Sequence, residues 1–403
     1  MGLRQLAGRI DNLSTAIRAM LPPFRLVKVT GGGLLLPQNT EPSALRCAIR
    51  TLREEVVNFS FDYPLEVDLD AGPRDSLHYY LYSDRLTWGA MRMDPAGIPT
   101  VWYRCTGAAY RPAYVAWYAL VNLGHYLRGK GSRHMEIFLN QIDWLEGQAM
   151  LRDDGAVVWA QPFDYSECDV HLRAPWVSAN AQGLVISAMV RGWRVTKKPS
   201  LKKLLEGSAR IFDLDVDQGG IRTQIDGNIF YTEVPGGRLP GIQDGFMNSL
   251  LGLYDLFVET DDPKVGQLFR TGVEGLKNLL PWWDYRQKWS WYGCRAYLSP
   301  PAYHCQNRLL LGILARLSGE TTLAECADRW DPANLSRFER SKIYLGFLLT
   351  KNAFRFKHRT WRQKRSTLKV ARAGKPADSS TARAAIAIAD GPTAMRSSVC
   401  NTD

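Results

Sequence analysis

The chain contains no apolar run near the roughly 20 residues that a membrane-spanning helix needs. Its first stretch, MGLRQLAGRIDNLSTAIRAMLPP, is polar and amphipathic, so no secretory leader is expected. Cysteine is sparse: seven residues (Cys47, Cys105, Cys168, Cys294, Cys305, Cys326 and Cys400), odd in number, scattered, and without a CxxC pair. That argues against a disulfide frame or a Cys-based zinc site, and for reduced thiols in a cytoplasmic setting. The six histidines show neither HxxxH nor HExxH spacing, and no GxGxxG follows a strand pattern. Neither a metal nor a nucleotide cofactor is expected.

Net charge is +11, but it is unevenly placed. Residues 351–403 carry twelve Lys/Arg and three Asp, which is +9, and the other 350 residues share only +2. The high pI therefore describes a tail, not the body. Residues 351–369 are basic with interleaved aromatics. The remainder of the tail is small and polar, a composition expected to be disordered. The tail's charge suits a solvated extension, an anionic lipid surface or a polyanionic sugar chain. No nucleic-acid fold accompanies it.

Hydrophobic periodicity divides the rest. Residues 1–55 look helical. Residues 56–110 are rich in β-branched and aromatic residues with Gly, Pro and Asp breaks, and a small antiparallel β region is expected there. From residue 111 to 350 the spacing is helical. Short polar turns, GKGSR, TKKPS, TDDPK and SGETT, begin at Gly129, Thr196, Thr260 and Ser318, which are 67, 64 and 58 residues apart. Each marks the tip of a helical hairpin, so the fold class expected is mainly α, a repeat of hairpins curled into an (α/α) toroid. The segments between hairpins are long and rich in aromatics, Gly and Pro. One of them, QIDGNIF, carries an Asp-Gly hairpin signal. These loops would gather at one pole and wall a cleft.

Trp282, Trp283, Trp289 and Trp291 crowd into one such loop. Aromatic faces stack on the C–H faces of sugar rings, so the loop suits carbohydrate as well as core packing. In FYTEVPGG, residues 230–237, a lone carboxylate, Glu233, lies in another aromatic loop ahead of a helix.

In order along the chain come APWVSANAQGLVISAMVRGW, FYTEVPGGRLPGIQDGFMNSLLGLYDL, LFRTGVEGLKNLLPWWD, WSWYGCR and AYHCQNRLLLGIL. This ordered set resembles the C-terminal domain of D-glucuronyl C5-epimerases, and residues 174–330 resemble a bacterial-type member. The resemblance implies cofactor-free conversion of D-glucuronate to L-iduronate residues within a polysaccharide. It implies Glu233, Tyr292 and Tyr303 as catalytic residues. It places Arg295, Asp244, His304, Trp176, Gln182, Tyr231 and Trp289 at the substrate, His304 as a positioning residue rather than a base. The residue types suit the reaction: inverting C5 needs acid/base groups on both faces of the ring, and a donor or cation for the charge that builds on the substrate carboxylate.

The sequence departs from the family pattern at Thr232, Val234, Asp244, Gly293 and Asn307. An anionic Asp244 would repel a uronate unless protonated or paired. These departures point to an unsulfated bacterial polymer rather than a heparan-type chain. Two other readings stay open: a lyase or hydrolase on the same scaffold, with Asp164, Asp244 and Asp284 as candidate second acids, and a non-catalytic polysaccharide-binding protein. The expected partner is a uronic-acid polysaccharide, with membrane-surface contact through the basic tail and a homodimer as further expectations, no nucleic acid, and a location in the cytoplasm or at the inner membrane face.

Overall fold

A computed structural model describes residues 59–358 apart from 62, 87–90, 104–106, 168–169, 237–240 and 294–296. The expectations for residues 1–55, for most of the basic tail and for Arg295 lie outside the described residues.

Short strands come first. β1 (Glu66–Val67) pairs antiparallel with β2 (Leu81–Tyr82). β3 (Met91–Met93), β4 (Pro99–Tyr103) and β5 (Gly107–Tyr110) form an antiparallel three-stranded meander. Four helical hairpins follow. α1 (Pro112–Leu127) and α2 (Arg133–Gly147) make the first, and α3 (Ala179–Thr196) and α4 (Pro199–Ser208) the second. Between them lie two two-stranded ribbons, β6 (Met150–Leu151) with β7 (Val157–Val158) and β8 (Tyr165–Glu167) with β9 (Val170–Leu172). β10 (Arg222–Ile225) and β11 (Asn228–Tyr231) precede the third hairpin, α5 (Gln243–Thr260) and α6 (Pro263–Trp283). β12 (Asp284–Tyr285), β13 (Trp289–Tyr292) and β14 (Tyr297–Leu298) precede the fourth, α7 (Pro301–Ser318) and α8 (Thr321–Arg329). A long last helix, α9 (Arg337–His358), closes the described chain.

The four tips fall where the polar turns were read, and their chemistry explains the sharp reversals. Lys197, Asp261 and Gly319 each adopt left-handed φ, at 54°, 53° and 75°, immediately after a helix ends. Such a residue ends a helix while satisfying its last carbonyls. Proline then opens α4 and α6 at a position where its missing N–H costs nothing. The Asp226–Gly227 pair, both at positive φ, turns β10 into β11 as the sequence signal requires.

The first helices of the hairpins pack side by side in chain order, α1 on α3, α3 on α5 and α5 on α7, each backed by its own second helix. They bury the main core. The tightest joint is α3 on α5, where a Cβ added to Gly183 would lie 2.4 Å from the Ser249 Cα and one added to Gly252 would lie 2.4 Å from the Gly183 carbonyl oxygen. Nearby, the buried Arg191 guanidinium meets Asp255 at 2.7 Å, and Tyr80 donates to the same carboxylate at 2.7 Å, tying α3 and α5 to the β2 strand.

α9 was not read from the sequence. It begins ahead of residue 351, where the tail was expected to start, and runs on to His358. Ile343 and Phe347 bury against Trp289, Leu298 and Leu335. Among the described residues no helix is long and apolar enough to cross a membrane.

Gly183→Ala should be one of the costliest small substitutions in the chain. The methyl has only backbone to displace, so about 1–3 kcal/mol or more is expected. A thermal melt matching the wild type would show that α3 and α5 do not touch through this glycine.

Candidate active site

The first helix of each hairpin begins at the end where the long loops gather. Arg111 stands just before α1. The bend after β11 carries Glu233. Asp244 sits in the first turn of α5, and Tyr303 in the first turn of α7. Tyr292 ends β13. These groups meet. The Arg111 Nη2 donates to the Glu233 Oε1 at 2.7 Å, across 122 positions of sequence. Glu233 is only 7% exposed and Asp244 6%. A Cβ on Gly245 would lie 2.4 Å from the Glu233 Oε2, so glycine at this position is what lets the carboxylate rest against the opening turn of α5.

Two carboxyls in one poorly hydrated place influence each other. Burial pushes the Asp244 carboxyl up, and the neighbouring Glu233 charge adds to it, taking its pKa to about 7. The N–H groups of the α5 first turn and Arg111 pull the other way, less strongly. The Asp244 Oδ1 has no hydrogen-bond partner among the described residues; neither does the side-chain amide of adjacent Gln243, nor the Oδ1 of Asn248 one helical turn on. Unpaired buried polar atoms are rare in finished cores. Here they cluster at the mouth of one helix, where sugar hydroxyls or a carboxylate could satisfy them.

The two phenols complete the group. Tyr292 and Tyr303 meet edge to face, centroids 5.3 Å apart. Burial raises the Tyr292 phenol well above its ordinary value, followed by Tyr297, Tyr303, Asp244 and Glu233. Tyr303 is likewise raised, by burial first and then by Tyr114 and the two carboxyls. Because 37% of Tyr303 is exposed, solvent tempers the burial contribution, but the direction stands. Both phenols hold their protons at neutral pH and can act as acids.

Several other residues read as substrate contacts are turned into the protein, and each is corrected here. Gln182 is fully buried; its Nε2 donates to the Val157 and Ser208 carbonyls and its Oε1 accepts from the Trp159 N–H. The Tyr231 hydroxyl donates to the Leu268 carbonyl. Trp176 packs on Phe163 and Tyr165, with its N–H on the Phe163 carbonyl. Trp289 is enclosed, donates to the Ser299 carbonyl, and stacks on His304 at 3.5 Å. Burial drives the His304 pKa down to about 3. Its Nδ1 faces Ser290 at 3.0 Å and its Nε2 faces the Trp330 carbonyl at 2.8 Å, so it braces the loop and presents nothing to a ligand. The tryptophan cluster as a whole is mostly packing: Trp282 and Trp283 belong to α6, and Trp283 donates to the Gly241 carbonyl. Asp164 is exposed and accepts from the Ala174 N–H, and Asp284 accepts from the Gln287 N–H, so neither stands beside Glu233 as a second acid.

Sequence reasoning missed Arg111, Tyr114 and Lys351. Arg111 lies over the Tyr114 ring at 5.1 Å. The Lys351 ammonium lies 3.4 Å from the Tyr297 ring centroid, and Tyr297 stacks on Tyr292, so α9 reaches the edge of this cluster. Among the described residues one trio has metal-ligand spacing, Asp68, Asp70 and His78, within 4.8 Å. Asp68 already holds His78 and Arg128, each at 2.9 Å, which makes the trio a structural charge cluster.

Residues 152–332 match the family described as D-glucuronyl C5-epimerase C-terminus. A D-glucuronyl C5-epimerase of Caenorhabditis elegans is 30% identical over 220 residues, 49% of this chain. The chain spans about a third of that relative's length, 35%. Glu233, Asp244, Tyr292 and Tyr303 all fall inside the family match; Arg111, Tyr114 and Lys351 fall outside it.

Asp244→Asn tests the electrostatics. A carboxyl whose folded pKa is raised binds more protons folded than unfolded between its ordinary value and about 7, so its contribution to stability falls as pH rises through that window. The variant should gain on the wild type from pH 4 to 7, by roughly a few kcal/mol at most, and the gap should stay level above. Denaturant melts at pH 5 and pH 8 measure it; an identical gap at both would mean that Asp244 is already ionised at pH 5.

Proposed function

We propose that this chain, whose residues 152–332 match the D-glucuronyl C5-epimerase C-terminus, inverts C5 of D-glucuronate residues in a polysaccharide to give L-iduronate, without a cofactor. The observation that carries this reading is the grouping of Glu233, held by Arg111, with Asp244, Tyr292 and Tyr303 at the loop end of the hairpins. The hairpin row is proposed to curl into an (α/α) toroid whose long loops wall the polymer-binding cleft. An unsulfated glucuronate polymer of the heparosan type is the substrate favoured here, because among the described residues a neutral Asp244 beside Arg111 offers limited positive charge for sulfates.

Glu233 is the base. Arg111 orients its carboxylate through the 2.7 Å hydrogen bond. Removing the C5 proton sends the electron pair toward the substrate carboxyl group, which gains negative charge. Protonated Asp244 donates a hydrogen bond to that charge, and Arg111 adds its field. Tyr303 then gives its phenolic proton to the opposite face of C5. Glu233 ends protonated and Tyr303 ends as phenolate. A phenolate with so high a pKa is the stronger base, so the proton returns from Glu233 to Tyr303 through water and resets the site. Tyr292, held between Tyr297 and Tyr303, fixes the donor ring and stands as the second phenol.

The test is incubation of the full chain with heparosan and related glucuronate polymers in D2O, with deuterium at C5 followed by NMR. Exchange should fall by about 10²-fold or more in Glu233→Gln and Tyr303→Phe. A near-ultraviolet unsaturated product would identify a lyase instead. Retained polymer binding without exchange would leave a binding protein. In the wild type, exchange should decline above about pH 7 as Asp244 loses its proton. In Asp244→Asn that decline should vanish, because the amide donates at every pH.

A further inference from the structure

α9 does two different things on its two sides. Ile343 and Phe347 are buried against β13 and β14. On the opposite side Phe338, Leu345, Leu349 and Phe356 are 68, 56, 63 and 70% exposed. Their spacing of seven, four and seven residues sets them on one stripe along the helix. Large apolar side chains so exposed and so aligned are unusual on a surface that faces only water.

Beyond Glu339 in its first turn, which pairs with Lys288, the charge along the helix is of one sign. From residue 340 to 377 there are twelve Lys/Arg and no Asp or Glu. Lys342 lies 4.2 Å from the Phe338 ring centroid, so its ammonium flanks the stripe directly. Lys357 is also exposed near the end of the helix. The residues that follow in the sequence include Arg359, Trp361, Arg362, Lys364, Arg365 and Lys369. Leucine and phenylalanine on one stripe with lysine and arginine beside it describe a helix that lies in the interface of a bilayer, apolar side chains among acyl chains and cations on the headgroups.

We propose that α9 docks the protein flat on an anionic lipid surface, with Phe338, Leu345, Leu349 and Phe356 inserted and the adjoining basic residues on the headgroups. Charge decides between occupants. A second copy meeting this stripe across a two-fold axis would bring the same positive charge against itself. A polyanionic sugar or nucleic acid would match the charge but leave the apolar side chains in water. A negatively charged bilayer answers both. The inference does not depend on the reaction proposed above.

Flotation of the full chain with vesicles of phosphatidylcholine mixed with phosphatidylglycerol, against vesicles of phosphatidylcholine alone, tests it. The wild type should float with the anionic vesicles, and added salt should weaken the binding. Leu345→Gln with Leu349→Gln should lower partitioning by about tenfold or more. Lys342→Glu with Lys357→Glu should lower it on anionic vesicles only. These side chains are exposed, so all variants should keep the wild-type melting temperature and C5 exchange on soluble polymer. The proposal is overturned if the wild type does not float, if the leucine variant floats as well as the wild type, or if light scattering shows a dimer that the leucine substitutions dissociate while flotation is unchanged.

Discussion

Two buried carboxyls, Glu233 and Asp244, lie close together, and the Arg111 guanidinium donates to the first of them. Like charges at close range in a poorly hydrated site cannot both persist without help. Arg111 donates to Glu233, and Asp244, raised by burial and by the neighbouring Glu233, is the group that holds a proton near neutrality. In the proposed reaction, that division lets two chemically similar side chains serve as base and donor. It depends on placement at the scale of one methyl group. Gly245 admits the Glu233 carboxylate to the first turn of α5, and Gly183 with Gly252 lets α3 and α5 meet backbone to backbone. Remove either clearance and the two carboxyls no longer hold their present positions.

The scaffold serves this by direction as much as by packing. Every hairpin enters its first helix from a long loop and turns back at a tight tip, so the starts of α1, α3, α5 and α7 come to the same end. Their first turns offer unpaired N–H groups there, and the Asp244 carboxyl uses those of α5. A group of acid, base and phenol residues drawn from distant segments is thus assembled by repetition of one simple unit. The buried Arg191–Asp255 pair, far from the loops, ties the same two helices to the β2 strand.

The hairpins were legible because their signals are local. Gly, Asp-Pro and Lys-Pro turns between helical patterns can be read within a few residues, as can the Asp-Gly reversal at residues 226–227. The site was legible only through resemblance, and only where residues resemble a pattern. Arg111 gave no signal, because an arginine before a proline reads as a helix start and its partner lies 122 residues on. The opposite error came from Trp289, Trp176, Tyr231 and Gln182. Aromatic crowding drew attention to Trp289 and resemblance to all four, but each ring is buried and each polar atom is spent on a carbonyl or N–H nearby, which composition cannot reveal. α9 was missed since its apolar residues serve two sides, so that no single stripe stands out against the basic background.

The departures from the family pattern divide by what surrounds them. Val234 packs with Val170 and Ile242, and its environment asks only for an apolar group. Thr232 is fully used, its hydroxyl on the Val234 carbonyl and its own carbonyl accepting from the Ala179 N–H. Gly293 sits at φ +59°, a conformation glycine adopts without cost, directly after Tyr292. Those three are absorbed by local structure and leave the neighbouring acid and phenols in place. Asp244 differs, because nothing in the described protein uses its Oδ1. An asparagine there would offer a permanent N–H donor. An aspartate offers a donor only while protonated, and its burial beside Glu233 is what keeps it so. Asn307 likewise keeps a buried Oδ1 without a partner among the described residues, but of the departures Asp244 is the one whose donor capacity is conditional on pH.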